Sequence, residues 1–243
     1  MKYKLILLDL DGTLIDSSRI ISDKVKRTIN KARNKIAISM VSSRDEEEVL
    51  KYVKELNLNN YHIVEGARLI DTKGKEIWHR YLSPSKTKEI LNLLKPCNLE
   101  IVVFADGKVC KDNFEKLKKV TLIILQHFLW SEALKWEKFL KRIKGVSVLI
   151  VHSSSIPNVW NVLVSHKHGT KRHAAKKLQV LLGVKKSETI AVGDGHNDLD
   201  MFKQAGLKVA MGNAVHELKK EADYIAPSVD RDGLVMVFEK FVL

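Results

Sequence analysis

The sequence predicts an α/β protein, a Rossmann-like parallel sheet core with an inserted smaller α/β cap. Three observations carry that expectation. Apolar runs of strand length alternate with amphipathic helical stripes at both ends of the chain, the mark of a parallel sheet covered on both faces. Between about residues 83 and 163 this rhythm gives way to short paired strands around Asp106-Gly107, a hairpin signal that belongs to an antiparallel or mixed sheet. The chain has 243 residues, 45% hydrophobic and 29% charged, enough for a substantial core and for two units rather than one. The division expected is 1–82 with 164–243 as the core, and 83–163 as the cap.

Taken in order, Leu5 to Leu8 is a continuous apolar strand, and Val25, Ile29 and Ala32 form a helical stripe behind Ser22 as N-cap. Ile36 to Val41 reads as the next buried strand. Ser43 precedes Asp45, Glu46, Glu47 and Glu48, acids that the helix dipole favours in a first turn, and Val49, Val53 and Leu56 supply that helix's inner face. His62 to Val64 reads as a third strand. The insert predicts a helix over 85–94, strands over 99–104, 108–111 and 120–125, a helix over 132–144, and strands over 146–152 and 159–164. The parallel rhythm then resumes, with helices over 171–182, 197–205 and 214–222 and strands over 189–192, 209–211 and 224–226.

Composition excludes an intrinsically disordered chain. Lys plus Arg number 42 against 29 Asp plus Glu, a net +13 that suggests an anionic partner without choosing among nucleic acid, membrane and small phosphate. Cys97 and Cys110 lack metal-ligand spacing and are expected to be free, buried thiols. Four apolar residues precede Asp9, too few for a signal peptide, and no run approaches a membrane span; a soluble, cytoplasmic protein is expected.

Chemistry concentrates at four places. The first strand ends in Asp9-Leu10-Asp11-Gly12-Thr13-Leu14, where residues two apart on an extended backbone project to the same side, at the carboxyl edge where open α/β sheets bind ligands. That suits a nucleophile beside a proton donor; a simple Asx turn with Gly12 at positive φ is the other reading. The strand over 189–192 runs into Gly193-Asp194-Gly195-His196-Asn197-Asp198 and then a helix. Two acidic strand ends in one parallel sheet would converge on a hard cation such as Mg²⁺, although Asn197 or Asp198 also suits a helix cap. Ser42-Ser43-Arg44 ends the second strand, where a hydroxyl and helix N–H groups can cradle a phosphate or simply cap the helix. Lys171 opens a helix behind Gly169-Thr170, against the dipole, which is natural if it faces an anion.

Together these segments resemble the haloacid dehalogenase superfamily of phosphohydrolases: DLDGTL at 9–14, the hydroxyl of Ser42, Lys171 and GDGHND at 193–198, in family order along the whole chain. The insert between Ser42 and Lys171, with Val64-Glu65-Gly66-Ala67 and Val209-Ala210-Met211-Gly212-Asn213-Ala214, resembles the Cof-type branch. That branch usually has Thr-Gly-Arg at 42–44 and Asn-Gly-Ala at 65–67, so the chain departs from it beside the site. The resemblance implies Asp9 as the nucleophile that forms an aspartyl-phosphate and Asp11 as the acid and base. It implies Mg²⁺ held by the Asp9 carboxylate, the Asp11 carbonyl and Asp194, with Asp198 in reach. Ser42 and Lys171 would neutralise phosphoryl oxygens, Asn197 would orient that shell, and Asn213 would contact substrate. The implied partner is a small phosphorylated metabolite, 2-phosphoglycolate first, a sugar phosphate second, with a phosphomutase of the phosphomannomutase type behind; no nucleic acid and no membrane are expected.

His166, His168 and His173 suggest a transition-metal site, but the absence of a nearby carboxylate favours solvated hinge residues. Phe128, Trp130, Trp136 and Phe139 read as helix packing rather than base stacking. The insert holds 13 Lys/Arg against 7 Asp/Glu, about twice as basic per residue as the rest. This favours an anionic substrate beneath the cap, or else merely lysine-rich helix faces that include Lys135, Lys138, Lys141 and Lys144.

Overall fold

The computed structural model describes residues 2–153, 156 and 158–243. In chain order the first elements are β1 (Leu5–Leu8), α1 (Asp23–Ala32), β2 (Ala37–Met40), α2 (Glu46–Glu55), β3 (His62–Val64), β4 (Arg68–Ile70) and β5 (Glu76–Trp78). Next come α3 (Pro84–Leu94), β6 (Ile101–Ala105), β7 (Lys108–Cys110), β8 (Val120–Phe128), α4 (Trp130–Leu140), β9 (Val146–His152) and β10 (Trp160–His166). The chain ends with α5 (Lys171–Leu182), β11 (Thr189–Gly193), α6 (Asp198–Phe202), β12 (Leu207–Ala210), α7 (His216–Glu221), β13 (Tyr224–Ile225) and α8 (Gly233–Phe241).

The central sheet is parallel throughout, in the order β13-β12-β11-β1-β2. Because side chains alternate across a strand, β1 serves two cores. Ile6 and Leu8 join a cluster with Val25, Ile29, Val53 and Phe238, while Leu5 and Leu7 join one with Ala174, Leu178 and Met201. A second sheet, ordered β7-β6-β8-β10-β9 and antiparallel, carries α3 and α4 on one face. The expected Asp106-Gly107 hairpin is there, with both residues at positive φ (53° and 75°) as a tight turn of this hand requires.

Several boundaries differ from the sequence reading. β3 touches the central sheet through a single parallel bridge, Val41 to Ile63, and then pairs antiparallel with β4, which pairs with β5. The chain reverses at Glu65 and Gly66, both at positive φ (50° and 77°). β4 and β5, three residues each and carrying Arg68 and Glu76, lack the apolar run that marks a buried strand. The N-cap of α2 is Asp45, whose side chain accepts from the Glu48 N–H, rather than Ser43. α4 starts at Trp130 and stops at Leu140, and α8 closes the fold with Leu234, Val235, Val237 and Phe238 buried, where no element was expected. Of the cysteines, both free, Cys97 is exposed rather than buried, because it sits in the turn after α3. Among the described residues no helix is long and apolar enough to cross a membrane.

His62 ties β3 to β2: its Nδ1 accepts the Met40 N–H at 3.2 Å, while Nε2 is buried without a partner. Burial pushes its pKa from 6.5 down to about 3. The folded chain therefore keeps His62 neutral where the unfolded chain protonates it, so the native state's advantage is full above 6.5 and is lost as pH falls toward 3. In urea titrations, the stability of the wild type relative to a His62→Gln variant should fall by about 1.4 kcal/mol per pH unit between about pH 6 and 4. A pH-independent difference would contradict this assignment.

Candidate active site

Strand register builds the site. Leu8 of β1 lies opposite Val192 of β11 on one side and Met40 of β2 on the other, so Asp9, Asp194 and Ser42 emerge together at the carboxyl edge. The chain order reverses between β1 and β11, the topological switch where open α/β sheets leave a crevice. Lys171, the first residue of α5, reaches into that crevice. Its Nζ donates to Asp9 Oδ1 at 2.6 Å and to Asp198 Oδ1 at 2.8 Å, and the ammonium is buried. The helix start that a lysine disfavours is offset by Asp200, whose Oδ2 accepts the Arg172 N–H. Asp198 is fully buried, and its second oxygen accepts the N–H groups of Asp194 and Gly195, each at 3.0 Å. Gly12 completes the cradle: at φ +72°, a Cβ there would collide with the Asp194 carboxylate.

Asp9, Asp194 and Asp198 each offer an oxygen within 4.8 Å of the others, a group suited to a metal. Burial and the Asp198 charge raise the Asp9 pKa well above the usual carboxylate range, with Lys171 opposing. The same causes push Asp194 up to about 8. For Lys171 the neighbouring carboxylates outweigh burial, and its pKa rises. These three carboxylates, two buried and one half-buried, against one ammonium leave an excess of two negative charges when all are ionised. A divalent cation fits this deficit and this all-oxygen donor set.

The other expected residues are nearby with different partners. Asp11 is gripped by Arg44 in a two-point fork (Nε to Oδ2 2.8 Å, Nη2 to Oδ1 2.6 Å), and Arg44 Nη1 donates to Glu48 at 2.9 Å. Ser42 is buried at the floor, its hydroxyl accepting the Arg44 N–H at 3.1 Å. Asn197 makes no capping hydrogen bond through its side chain and packs over Gly195 on the cleft wall. Asn213 acts as a brace as well as lining the cleft. Its Nδ2 donates to the Gly12 carbonyl (2.8 Å) and to Asp194 Oδ2 (3.3 Å), and its Oδ1 accepts the Val229 N–H (3.0 Å). The histidine trio stays apart from the site: His168 Nδ1 and His173 Nε2 share a 3.1 Å contact beside Thr170.

The sequence reading missed how the antiparallel sheet meets this edge. Glu65, where the family pattern has Asn, is buried and accepts from Arg68 (2.7 Å) and from the Thr121 hydroxyl of β8 (2.6 Å), linking the two sheets. His196 stacks on Trp130 (5.7 Å between centroids) and meets Trp160 edge-on (5.9 Å), so Trp130 is a contact between units rather than helix packing. Between the sheets lies a cleft of about 800 Å³, bounded by Asp9, Asp11, Ser42 and Asp194 below and by β6, β8, β9 and β10 above. Lys135, Lys138, Lys141 and Lys144 are exposed and line none of it.

The sequence pattern of the haloacid dehalogenase-like hydrolases matches residues 6–154 and 111–238, and the chain belongs to that family. It is 31% identical to a putative phosphatase of Haemophilus influenzae over 99% of this chain and 98% of that one. It is 28% identical to phosphoglycolate phosphatase 1 of Saccharolobus solfataricus over 98% and 96%. Its fold matches a haloacid dehalogenase-like hydrolase from B. subtilis with a TM-score of 0.85 at 23% identity, covering 99% of this chain and 100% of that one.

Among the described residues Lys171 is the single ammonium paired with Asp9 and Asp198, and removing one partner of a buried ion pair leaves the other uncompensated. Lys171→Met should therefore destabilise the metal-free protein by about 3–5 kcal/mol at neutral pH. Urea unfolding measures it; a loss below about 1 kcal/mol would show that the carboxylates do not depend on this cation.

Proposed function

We propose that the protein is a Mg²⁺-dependent phosphatase that hydrolyses a small phosphorylated metabolite through an aspartyl-phosphate on Asp9. The observation that carries this reading is the buried Lys171 bridging Asp9 and Asp198 beside Asp194, at the switch point of the sheet and open to a cleft. Family membership and relatives named as phosphatases support it.

In this reading the phosphoryl group sits between the Asp9 carboxylate, the Lys171 ammonium and the Ser42 hydroxyl. Asp9 attacks phosphorus in line; a P–O bond to Asp9 forms as the bond to the alcohol oxygen breaks. Asp11 gives its proton to the departing alkoxide, then takes one from the water that attacks the aspartyl-phosphate, releasing phosphate and regenerating Asp9. Arg44 engages both oxygens of Asp11 in the resting site, so Asp11 must leave that fork to reach the leaving-group oxygen. Asp9, the Asp11 carbonyl and Asp194, with Asp198 behind them, would hold Mg²⁺, which supplies charge neutralisation for the phosphoryl oxygens and for the crowded carboxylates. Residues 83–163 serve as the cap that covers the site and contacts the leaving group, with Asn213 and Asn197 steadying the loops around it.

Of the substrates the sequence points to, 2-phosphoglycolate has the support of the Saccharolobus relative, and sugar phosphates come next. Free phosphate, rather than an isomerised sugar phosphate, is the product that separates this reading from a phosphomutase.

Asp9→Asn should abolish phosphate release, as should EDTA with recovery on adding Mg²⁺. Substantial turnover in either case would sink the mechanism. Asp11→Asn should slow alkyl phosphates by roughly two orders of magnitude or more and aryl phosphates much less, since a phenolate leaves without a proton. Equal losses for the two classes would remove Asp11 as the acid.

A further inference from the structure

The strands above the cleft have two apolar faces. Antiparallel sheets commonly present one packed face and one polar, solvated face. Here Val103, Ile123, Leu125, Ile150 and Val162 point to α3 and α4, as expected. The alternate positions, facing away from those helices, are Phe104, Leu122, Ile124, Val151 and Leu163, and they form a second apolar cluster with no helix over it. Phe104, Ile124, Val151 and Leu163 line the cleft opposite Asp9 and Asp194, with the neutral amides of Gln126 and Asn161 beside them.

Charge is distributed against an acidic leaving group. Among the described residues, no lysine or arginine from 83–163 lines the cleft, despite the 13 in that segment. The two arginines that do, Arg19 and Arg44, come from the other side and already face Glu48, with Arg44 also holding Asp11. Asp16, Asp45, Glu48 and Asp230 complete an acidic rim. Apart from the imidazoles of His152 and His196, which line the cleft packed against Trp160 and Trp130, a substrate carboxylate would lie against apolar side chains or this rim, losing hydration without gaining a lysine or free arginine as partner.

Resting on the phosphatase reading, we infer that the leaving group is a neutral, largely apolar or ring-bearing alcohol, held by Phe104, Ile124, Val151 and Leu163 and oriented by Gln126 and Asn161, and not the glycolate anion. The size agrees: about 800 Å³ is room for a ligand of many heavy atoms, far beyond a two-carbon acid.

The test compares two phosphate esters of primary alcohols, benzyl phosphate and 2-phosphoglycolate, with acetyl phosphate as a substrate that offers the cap almost nothing. The wild type should show kcat/KM for benzyl phosphate at least about tenfold above that for phosphoglycolate. Ile124→Lys should reverse the order by placing a cation on the wall. Gln126→Lys, at a half-buried polar position, serves if the first variant does not fold. Calorimetry with benzylphosphonate and phosphonoacetate reads the same preference without turnover. Equal or better use of phosphoglycolate, or equal losses for both esters in the lysine variants, would overturn the inference. If acetyl phosphate is hydrolysed and no benzyl preference exists, the substrate class falls and the phosphatase reading stands. If benzylphosphonate is preferred and nothing is hydrolysed, the phosphatase reading falls and the recognition surface stands.

Discussion

Three carboxylates within 4.8 Å of one another, Asp9 and Asp198 buried and Asp194 half-buried, are the constraint on which the rest of the site depends, and the Lys171 ammonium is what makes them tolerable. Its two short ion pairs join the end of β1, the start of α5 and the start of α6, positions 162 and 27 residues from Lys171 that the central sheet brings together. The remaining negative excess is the chemical asset of the site. In the phosphatase proposed above, a cluster so under-neutralised by protein groups would draw a cation and offer a nucleophilic oxygen within the same few ångströms.

The sheet supplies the precision that such a cluster needs. Parallel register fixes Asp9 beside Asp194, with Leu8 standing opposite Val192. Gly12 then lets the Asp194 carboxylate approach the backbone to a distance that any side chain would forbid. The brace from Asn213 to both the Gly12 carbonyl and Asp194 closes the arrangement from the far side.

What the sequence discloses follows from how local each signal is. Asp9, Asp11, Asp194 and Lys171 sit at strand and helix ends, so a period-2 or period-3.6 pattern with a polar interruption is enough to place them. The hairpin at Asp106-Gly107 is legible because a tight turn of that hand demands positive φ at both residues. β4 and β5 are not legible: they are short and half-charged, and they exist because Glu65 and Gly66 turn the chain back on itself. The same limit hid Glu65 and Arg44. Each forms pairs across long sequence separations, Glu65 with Thr121 and Arg44 with Asp11, and no local pattern announces such a partner. Arg44 did leave a trace, as the position of the 42–44 triplet that keeps the family's residue while its neighbours depart.

Net charge gave the least reliable guidance, for a physical reason. A total of +13 describes the far field, which bears on encounter with any anion, whereas specificity depends on groups within a few ångströms in a desolvated cleft. The basic segment keeps its lysines off the cleft, Lys135 and Lys138 on the solvated face of α4 among them, and turns strands toward it. Strand alternation is the better guide. Phe104, Ile124 and Leu163 are one residue out of phase with the positions that pack beneath the helices, so this apolar wall follows from period-2 geometry once both faces of the strands are known to be covered. On the proposed reading the two ends of a phosphate ester would meet opposite environments: the phosphoryl group an ionic cluster, and the alcohol a wall that, among the described residues, offers shape and hydrogen bonds but no lysine or arginine.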